Sequence, residues 1–248
     1  MNEKEFFLCH VLRCERSALY LDPDKKILSP RQAAQLKRLE EKRRQGYPLA
    51  YLIQRADFWG MDFKVTPGVL IPRPETEVLV EEVLKKASAR PDAKWRILEF
   101  GTGSGNIAVV LAKGLLQARV TSVDISAEAL AVASVNARRH GVSSRIRFLR
   151  SDLGARLIRN RGRFDFIVSN PPYVSAVFYP RLPRDVRHEP KRALVAARKG
   201  LDFFFRIEEQ SRYLLADQGM FFGEICPTQK KSVEKIFSEK ILQKSGLP

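Results

Sequence analysis

The sequence predicts an α/β protein, a Rossmann-like doubly wound sheet preceded by a small helical unit and a β-hairpin linker. Three observations predict it. After Pro91, short apolar runs alternate with amphipathic segments at βαβ length. A glycine-rich turn follows the first of those runs, where a parallel sheet presents ligands. The residues before Pro67 follow another pattern, helical and then rich in aromatic and β-branched residues.

In order, an apolar stretch from Phe6 to Leu21 reads as the partner of a helix opening at Ser29-Pro30, with a hydroxyl cap and proline at the first helical position. Ala33, Leu36 and Leu39 supply its apolar side and Gly46 stops it. Tyr51 to Val65 reads as a hairpin turning at Gly60. Turns follow at Pro67-Gly68 and Pro72-Arg73-Pro74. The next helix has Glu75 and Glu77 in its first turn, where acids favour the dipole, and buries Leu79, Val80, Val83 and Leu84. Beyond Pro91, strands are expected at Trp95–Phe100, Arg119–Asp124, Arg145–Leu149, Phe164–Ser169 and Met220–Ile225. Helices are expected at 105–117, 127–140, 201–215 and 228–239. The division is residues 1–66 for the helical unit with its hairpin and 67–248 for the sheet domain.

The chain has 248 residues, 44% hydrophobic and 29% charged, enough for a packed core. Three cysteines, Cys9, Cys14 and Cys226, without paired spacing argue against a disulfide framework or a cysteine-built zinc site. His10, His140 and His188 are scattered and read as packed or surface histidines, so no metal is expected. No apolar run reaches the ~18 residues of a membrane span. The start, with Asn2, Glu3 and Glu5, lacks a secretory pattern, so a cytoplasmic location without membrane partners is expected.

Charge is the most unusual bulk property: 44 Lys and Arg against 28 acids, a net +16. Half of the surplus lies between Arg150 and Lys199, with twelve basic residues and four acids, whereas residues 1–72 net only +4. Such a segment suits contact with RNA or the ribosome through counterion release, and equally plain solubility. The run Arg156 to Arg163 reads as a solvated loop.

Two loops carry chemistry. In Glu99-Phe100-Gly101-Thr102-Gly103-Ser104-Gly105, glycines let the chain turn off a strand and let a ligand approach the backbone. Asp124 ends the next strand and is placed to accept both ribose hydroxyls of an adenosine. A nicotinamide dinucleotide and S-adenosylmethionine both carry that group. The glycine spacing departs from the dinucleotide pattern, and a charged Glu99 would oppose a pyrophosphate but suit an ammonium, which favours the methyl donor.

The second loop settles the choice. A buried strand ends at Asn170-Pro171-Pro172-Tyr173, where two prolines fix φ near ~−65° and stiffen the corner. The Asn170 side-chain oxygen and the Pro171 carbonyl can accept both hydrogens of one planar NH₂ group, and Tyr173 can stack on its face. An amide nitrogen is a poor nucleophile because its lone pair is delocalised. Two acceptors gripping its hydrogens aim that lone pair and stabilise the charge that grows on nitrogen during methyl transfer.

Taken with Ile71-Pro72-Arg73-Pro74-Glu75-Thr76-Glu77 and with Glu189-Pro190 and Ala193-Leu194 downstream, these motifs resemble the release-factor glutamine N5-methyltransferases, the HemK/PrmC family. The resemblance covers nearly the whole chain, although Asn-Pro-Pro-Tyr alone is shared with DNA and RNA adenine methyltransferases. It implies a class I S-adenosylmethionine-dependent methyltransferase sheet, with S-adenosylhomocysteine as product and no metal. It places cofactor contacts at Gly101, Thr102, Gly103, Ser104, Gly105, Asp124, Asp152, Leu153 and Asn170. Catalysis falls to Asn170, Pro171 and Tyr173, and Asn170, Pro171, Pro172 and Tyr173 hold the acceptor. That acceptor is the glutamine of the Gly-Gly-Gln loop of a peptide chain release factor, gripped in part by the N-terminal helical unit.

Glu99 stands where the family usually has Asp. The chain begins about one helix later than typical members and stops too early for their last antiparallel hairpin, so an open sheet edge or an incomplete fold is expected. The competing readings are an N6-adenine or N2-guanine methyltransferase acting on RNA or DNA, and a binder that keeps the cofactor loop without turnover.

Overall fold

The computed structural model describes residues 3–21, 27–158 and 163–238. The expected N-terminal helix is two, α1 (Glu3–Leu12) and α2 (Arg16–Leu21), because Arg13 adopts a left-handed φ of 53° and breaks the run. Helix α3 (Pro30–Arg44) starts as predicted: Ser29 and Gln32 form a reciprocal capping box, and Gly46 ends the helix at φ 92°. Of its expected apolar side only Leu39 is fully buried, and Ala33 is exposed. Leu39 packs with Phe7, Val11 and Leu52, a small core that belongs to the helical unit alone.

Tyr51 lies in a short helix, α4 (Leu49–Ile53), not in the hairpin. The hairpin itself is tighter, β1 (Arg55–Phe58) against β2 (Met61–Lys64), with Trp59 and Gly60 both at positive φ. Two central residues at positive φ match the right-handed twist of the flanking strands. Phe58 and Phe63 point into the main core, and burying such rings contributes ~1.5–3 kcal/mol each. Asn136, fully buried, holds the hairpin down. Its side chain accepts from the Lys64 amide (2.8 Å) and donates to the carbonyls of Lys64 (2.9 Å) and Ser104 (2.8 Å).

After α5 (Glu75–Ala87) come β3 (Arg96–Phe100), α6 (Asn106–Gly114), β4 (Arg119–Asp124), α7 (Ala127–Arg139), β5 (Ile146–Arg150), α8 (Ala155–Ile158) and β6 (Phe164–Ser169). A two-residue pair, β7 (Val174–Ser175) and β8 (Val195–Ala196), brackets α9 (Lys191–Leu194). The chain then forms α10 (Asp202–Leu214), β9 (Leu215–Gly223) and α11 (Lys230–Ser238). Helix ends fall one to three residues inside most of the predicted spans, and a 3₁₀ turn, Pro227–Gln229, leads into α11. The end of the helix expected at 228–239 and the place of the family's last hairpin lie outside the described residues, as do Arg159 and Arg161.

Strands β3, β4, β5, β6 and β9 form one parallel sheet in the order β5-β4-β3-β6-β9. Strand β9 starts earlier than predicted, at Leu215. Its pairing with β6 then jumps to Met220, because the exposed Asp217 and Gln218 loop out. Among the described residues no strand pairs with its outer side. Period-2 alternation sends Ile97 of β3 to the face covered by α5 and α6, and Leu98 and Phe100 to the face covered by α8 and α10. The chain order reverses between β3 and β6, which opens a crevice at their carboxyl ends. No described helix is long and apolar enough to cross a membrane.

Candidate active site

A cleft lies at that crevice. Gly101, Thr102, Gly103 and Ser104 line it from the turn after β3, Asp124 from the end of β4, Asp152 and Leu153 from beyond β5, and Asn170 and Pro172 from the turn after β6. Of the residues singled out from the sequence, Gly105, Pro171 and Tyr173 stand outside this lining. Gly105 serves the turn from behind: its φ is 81°, and a Cβ there would come within 2.8 Å of the Ala133 Cβ, so it lets α7 approach. Pro171 is buried. Tyr173 leans on a cluster with Phe204, Val233 and Ile236.

The donor wall fits an adenosine-bearing cofactor. A Cβ built on Gly101 would meet nothing nearer than the Asn170 carbonyl at 3.8 Å, so glycine keeps clear space between the two loops. The Asp124 carboxylate accepts from the Gly103 amide (3.0 Å) and the Ser126 amide (2.9 Å), one to each oxygen. Both oxygens keep a lone pair for a vicinal diol. Arg206 donates to Asp152 (2.6 Å) on the cleft rim.

The structure corrects the expectation for Glu99. Alternation along β3 turns its side chain to the same face as Ile97, beneath the turn, where it is fully buried and accepts from the Ser122 hydroxyl (2.5 Å). Burial pushes its carboxyl up to about 8, with Ser122 opposing, so near neutral pH the group is mostly uncharged. It cannot supply the negative charge that the sequence suggested, and the preference for a methyl donor rests on the second loop.

That loop is held by residues from three elements. Glu224 follows β9, and its amide extends the ladder by donating to the Ser169 carbonyl (3.0 Å), which sets it beside Asn170. Its carboxylate accepts from the buried Thr76 hydroxyl (2.6 Å) and from the Tyr173 phenol (3.2 Å). The Asn170 amide nitrogen donates to Thr76 Oγ1 (2.9 Å). Burial raises the Tyr173 phenol to about 12, and the neighbouring Glu224 adds to the shift. Burial also raises Glu224, against the bonds from Thr76 and Tyr173. The Tyr173 carbonyl accepts from Gln229 Nε2 (3.1 Å).

A second buried acid fixes the proline-rich segment: Glu189 accepts from the Ile71 amide (3.0 Å) and pairs with Arg73, which lines the cleft. Sequence reasoning missed Glu224, although an acid ending an apolar strand at the carboxyl edge is a signal. It quoted Thr76 and Arg73 only as parts of a motif. Ile125, Phe203 and Arg192 of the lining carried no signal in the sequence. His140 packs on Phe63 and His188 stacks on Tyr47, as packed or surface histidines should.

Residues 74–180 match the methyltransferase small domain family, and residues 2–53 match the PrmC N-terminal domain family. The release factor glutamine methyltransferase of Nitratidesulfovibrio vulgaris is 39% identical over 94% of this chain and 78% of its own length. That of Moorella thermoacetica is 42% identical over 84% of this chain and 72% of its own. This chain belongs to the release factor glutamine methyltransferase family. A SAM-dependent methyltransferase of Agrobacterium tumefaciens shares the fold, with a TM-score of 0.53 at 18% identity over 75% of this chain and 57% of that one. The sheet is thus that of the class I S-adenosylmethionine-dependent methyltransferases.

Proposed function

We propose that this family member methylates the side-chain amide N5 of the glutamine in the Gly-Gly-Gln motif of peptide chain release factors, in the cytoplasm and without a metal. One observation carries the reading: Asn170 and the glycine turn with Asp124 line the same cleft, so an acceptor corner faces a nucleoside site. S-adenosylmethionine, when bound there, supplies the electrophilic methyl group and leaves as S-adenosylhomocysteine.

The chain's own residues do the rest. Asp124 takes the ribose hydroxyls on its spare lone pairs, while Gly101 to Ser104 leave room along the turn, and Asp152 and Leu153 border the far end. Asn170 Oδ1 and the Pro171 carbonyl accept the two amide hydrogens of the substrate glutamine, which fixes its plane and aims its lone pair. The same two acceptors stabilise positive charge as it develops on nitrogen, and the methylated nitrogen then gives a proton to water. Pro172 shapes the wall beside the glutamine, and Tyr173 supports it from behind through its bond to Glu224.

The helical unit abuts this region through the Tyr47–His188 stack, with ring centroids 4.2 Å apart, which suits a protein substrate spanning both. Exposed Arg181, Arg184 and Arg187 next to it, with exposed Val177 and Phe178, form a basic and partly apolar rim suited to ribosome or RNA contact beside the release factor.

The test uses the full chain, a methyl-labelled donor, and either release factors or total RNA. Label in a release factor that vanishes on Gln→Ala in its Gly-Gly-Gln loop is expected. Label in RNA alone would overturn the reading in favour of an RNA amine methyltransferase.

A further inference from the structure

We infer that Glu224 and Thr76 are positioning residues which fix the amide of Asn170 with its oxygen, not its nitrogen, available to the acceptor. The inference rests on the proposed amide methylation but concerns residues with no assigned role. Its basis is the count of donors and acceptors in a chain of three side chains. Glu224 accepts from the Thr76 hydroxyl on one oxygen and from the Tyr173 phenol on the other, and a hydroxyl has one hydrogen to give. Thr76 gives that hydrogen to Glu224 at 2.6 Å. Its oxygen can then only accept from Asn170, so the atom of Asn170 at 2.9 Å must be the NH₂ group. The carboxamide oxygen is left free of this network, on a residue that lines the cleft.

A flipped Asn170 would turn two hydrogens toward the substrate's NH₂ group, donor against donor, and would lose its bond to Thr76. One carboxylate outside the cleft lining thus sets the polarity of the acceptor corner. Tyr173 supports the arrangement, since its phenol donates to the other oxygen of Glu224 and leaves that carboxylate no reason to rotate. The three parts come from distant places in the chain: Thr76 is 94 residues before Asn170 and 148 before Glu224. Their meeting requires α5, β6 and β9 to end at one point.

The test compares Thr76→Val, Thr76→Ser and Glu224→Gln with the unaltered chain. Thr76→Val keeps the volume but cannot accept from Asn170. Glu224→Gln presents an NH₂ group where the carboxylate stood and so can reverse the chain of donors. Both are expected to lower kcat about 10- to 100-fold, the scale of losing one supporting hydrogen bond in a network with a charged group, with the KM for acceptor and the Kd for donor changed less than about threefold. Thr76→Ser, which keeps the hydroxyl, is expected to restore kcat to within about threefold. Should Glu224→Gln fail to fold, the valine–serine pair decides.

An activity-free measurement runs beside it. In ¹⁵N-labelled protein the Asn170 side-chain NH₂ is expected to exchange with solvent at least about tenfold faster in Thr76→Val than in Thr76→Ser. Equal kcat in all three variants, or equal exchange in the valine and serine forms, overturns the inference. A drop in kcat matched by lost donor affinity and lost stability in Thr76→Ser as well would make the contact merely structural and also overturn it. Failure of the unaltered chain to label a release factor would instead strike the proposed substrate. The exchange comparison would still judge the orientation of Asn170.

Discussion

The two walls of the cleft are built on opposite plans. The donor wall is local: Gly101 to Gly105 and Asp124 to Ser126 come from two successive βα turns, and most of its contacts are backbone amides meeting one carboxylate. The acceptor wall is assembled at long range, with Asn170 steadied by Thr76 and Glu224 from elements at both ends of the fold. A local wall tolerates change elsewhere in the chain. An assembled one depends on α5, β6 and β9 all being in register.

Breaking the acceptor wall gives the largest expected effect. Asn170→Ala should slow methyl transfer by about 10²–10³ while donor affinity in calorimetry stays within about threefold. Equal loss in both would merge the two walls into one. Next, Gly105→Ala should destabilise the protein by about 2–4 kcal/mol, because the left-handed φ is strained and the new Cβ crowds Ala133. A shift in the urea midpoint checks it.

Asp124→Ala should weaken donor binding about 10- to 100-fold, the scale of losing hydrogen bonds to a charged acceptor. The rate at saturating donor should fall much less. An unchanged dissociation constant would remove Asp124 from the ribose.

The smallest effect sharpens the comparison from beneath the donor wall. Glu99→Gln should leave donor affinity within about threefold, since the native side chain is already mostly neutral near pH 7. It should alter the pH dependence of stability. A carboxyl held at about 8 when folded and at the ordinary 4.5 when unfolded keeps its proton only in the native state between those values. Its stabilising contribution is full below about 4.5 and is lost as pH rises toward 8. The Gln variant should flatten that slope in denaturant midpoints measured from pH 5 to 8.

The same contrast explains how much of the molecule is legible in its sequence. The strand order, the glycine turn and Asp124 follow from periodicity and short spacing, so the donor wall was visible in the sequence. The Asn-Pro-Pro-Tyr corner was visible as a motif, but its support was not. Nothing in the local pattern says that Thr76, in a first helical turn, and Glu224, beyond the last strand, will share a hydrogen. Glu99 was misread for a related reason. Its place next to the glycines suggested a charge on the cleft, whereas pleat alternation, decided by which face α6 covers, buried it.

Asn136 has a consequence that reaches beyond the site. One carboxamide fastens both the hairpin and the glycine turn, so neither can peel away without stranding polar backbone in the interior. The two segments therefore loosen as one cooperative unit. A ligand that quiets the turn at Ser104 is therefore expected to slow limited proteolysis at the hairpin tip, Trp59 and Gly60, forty-odd residues upstream.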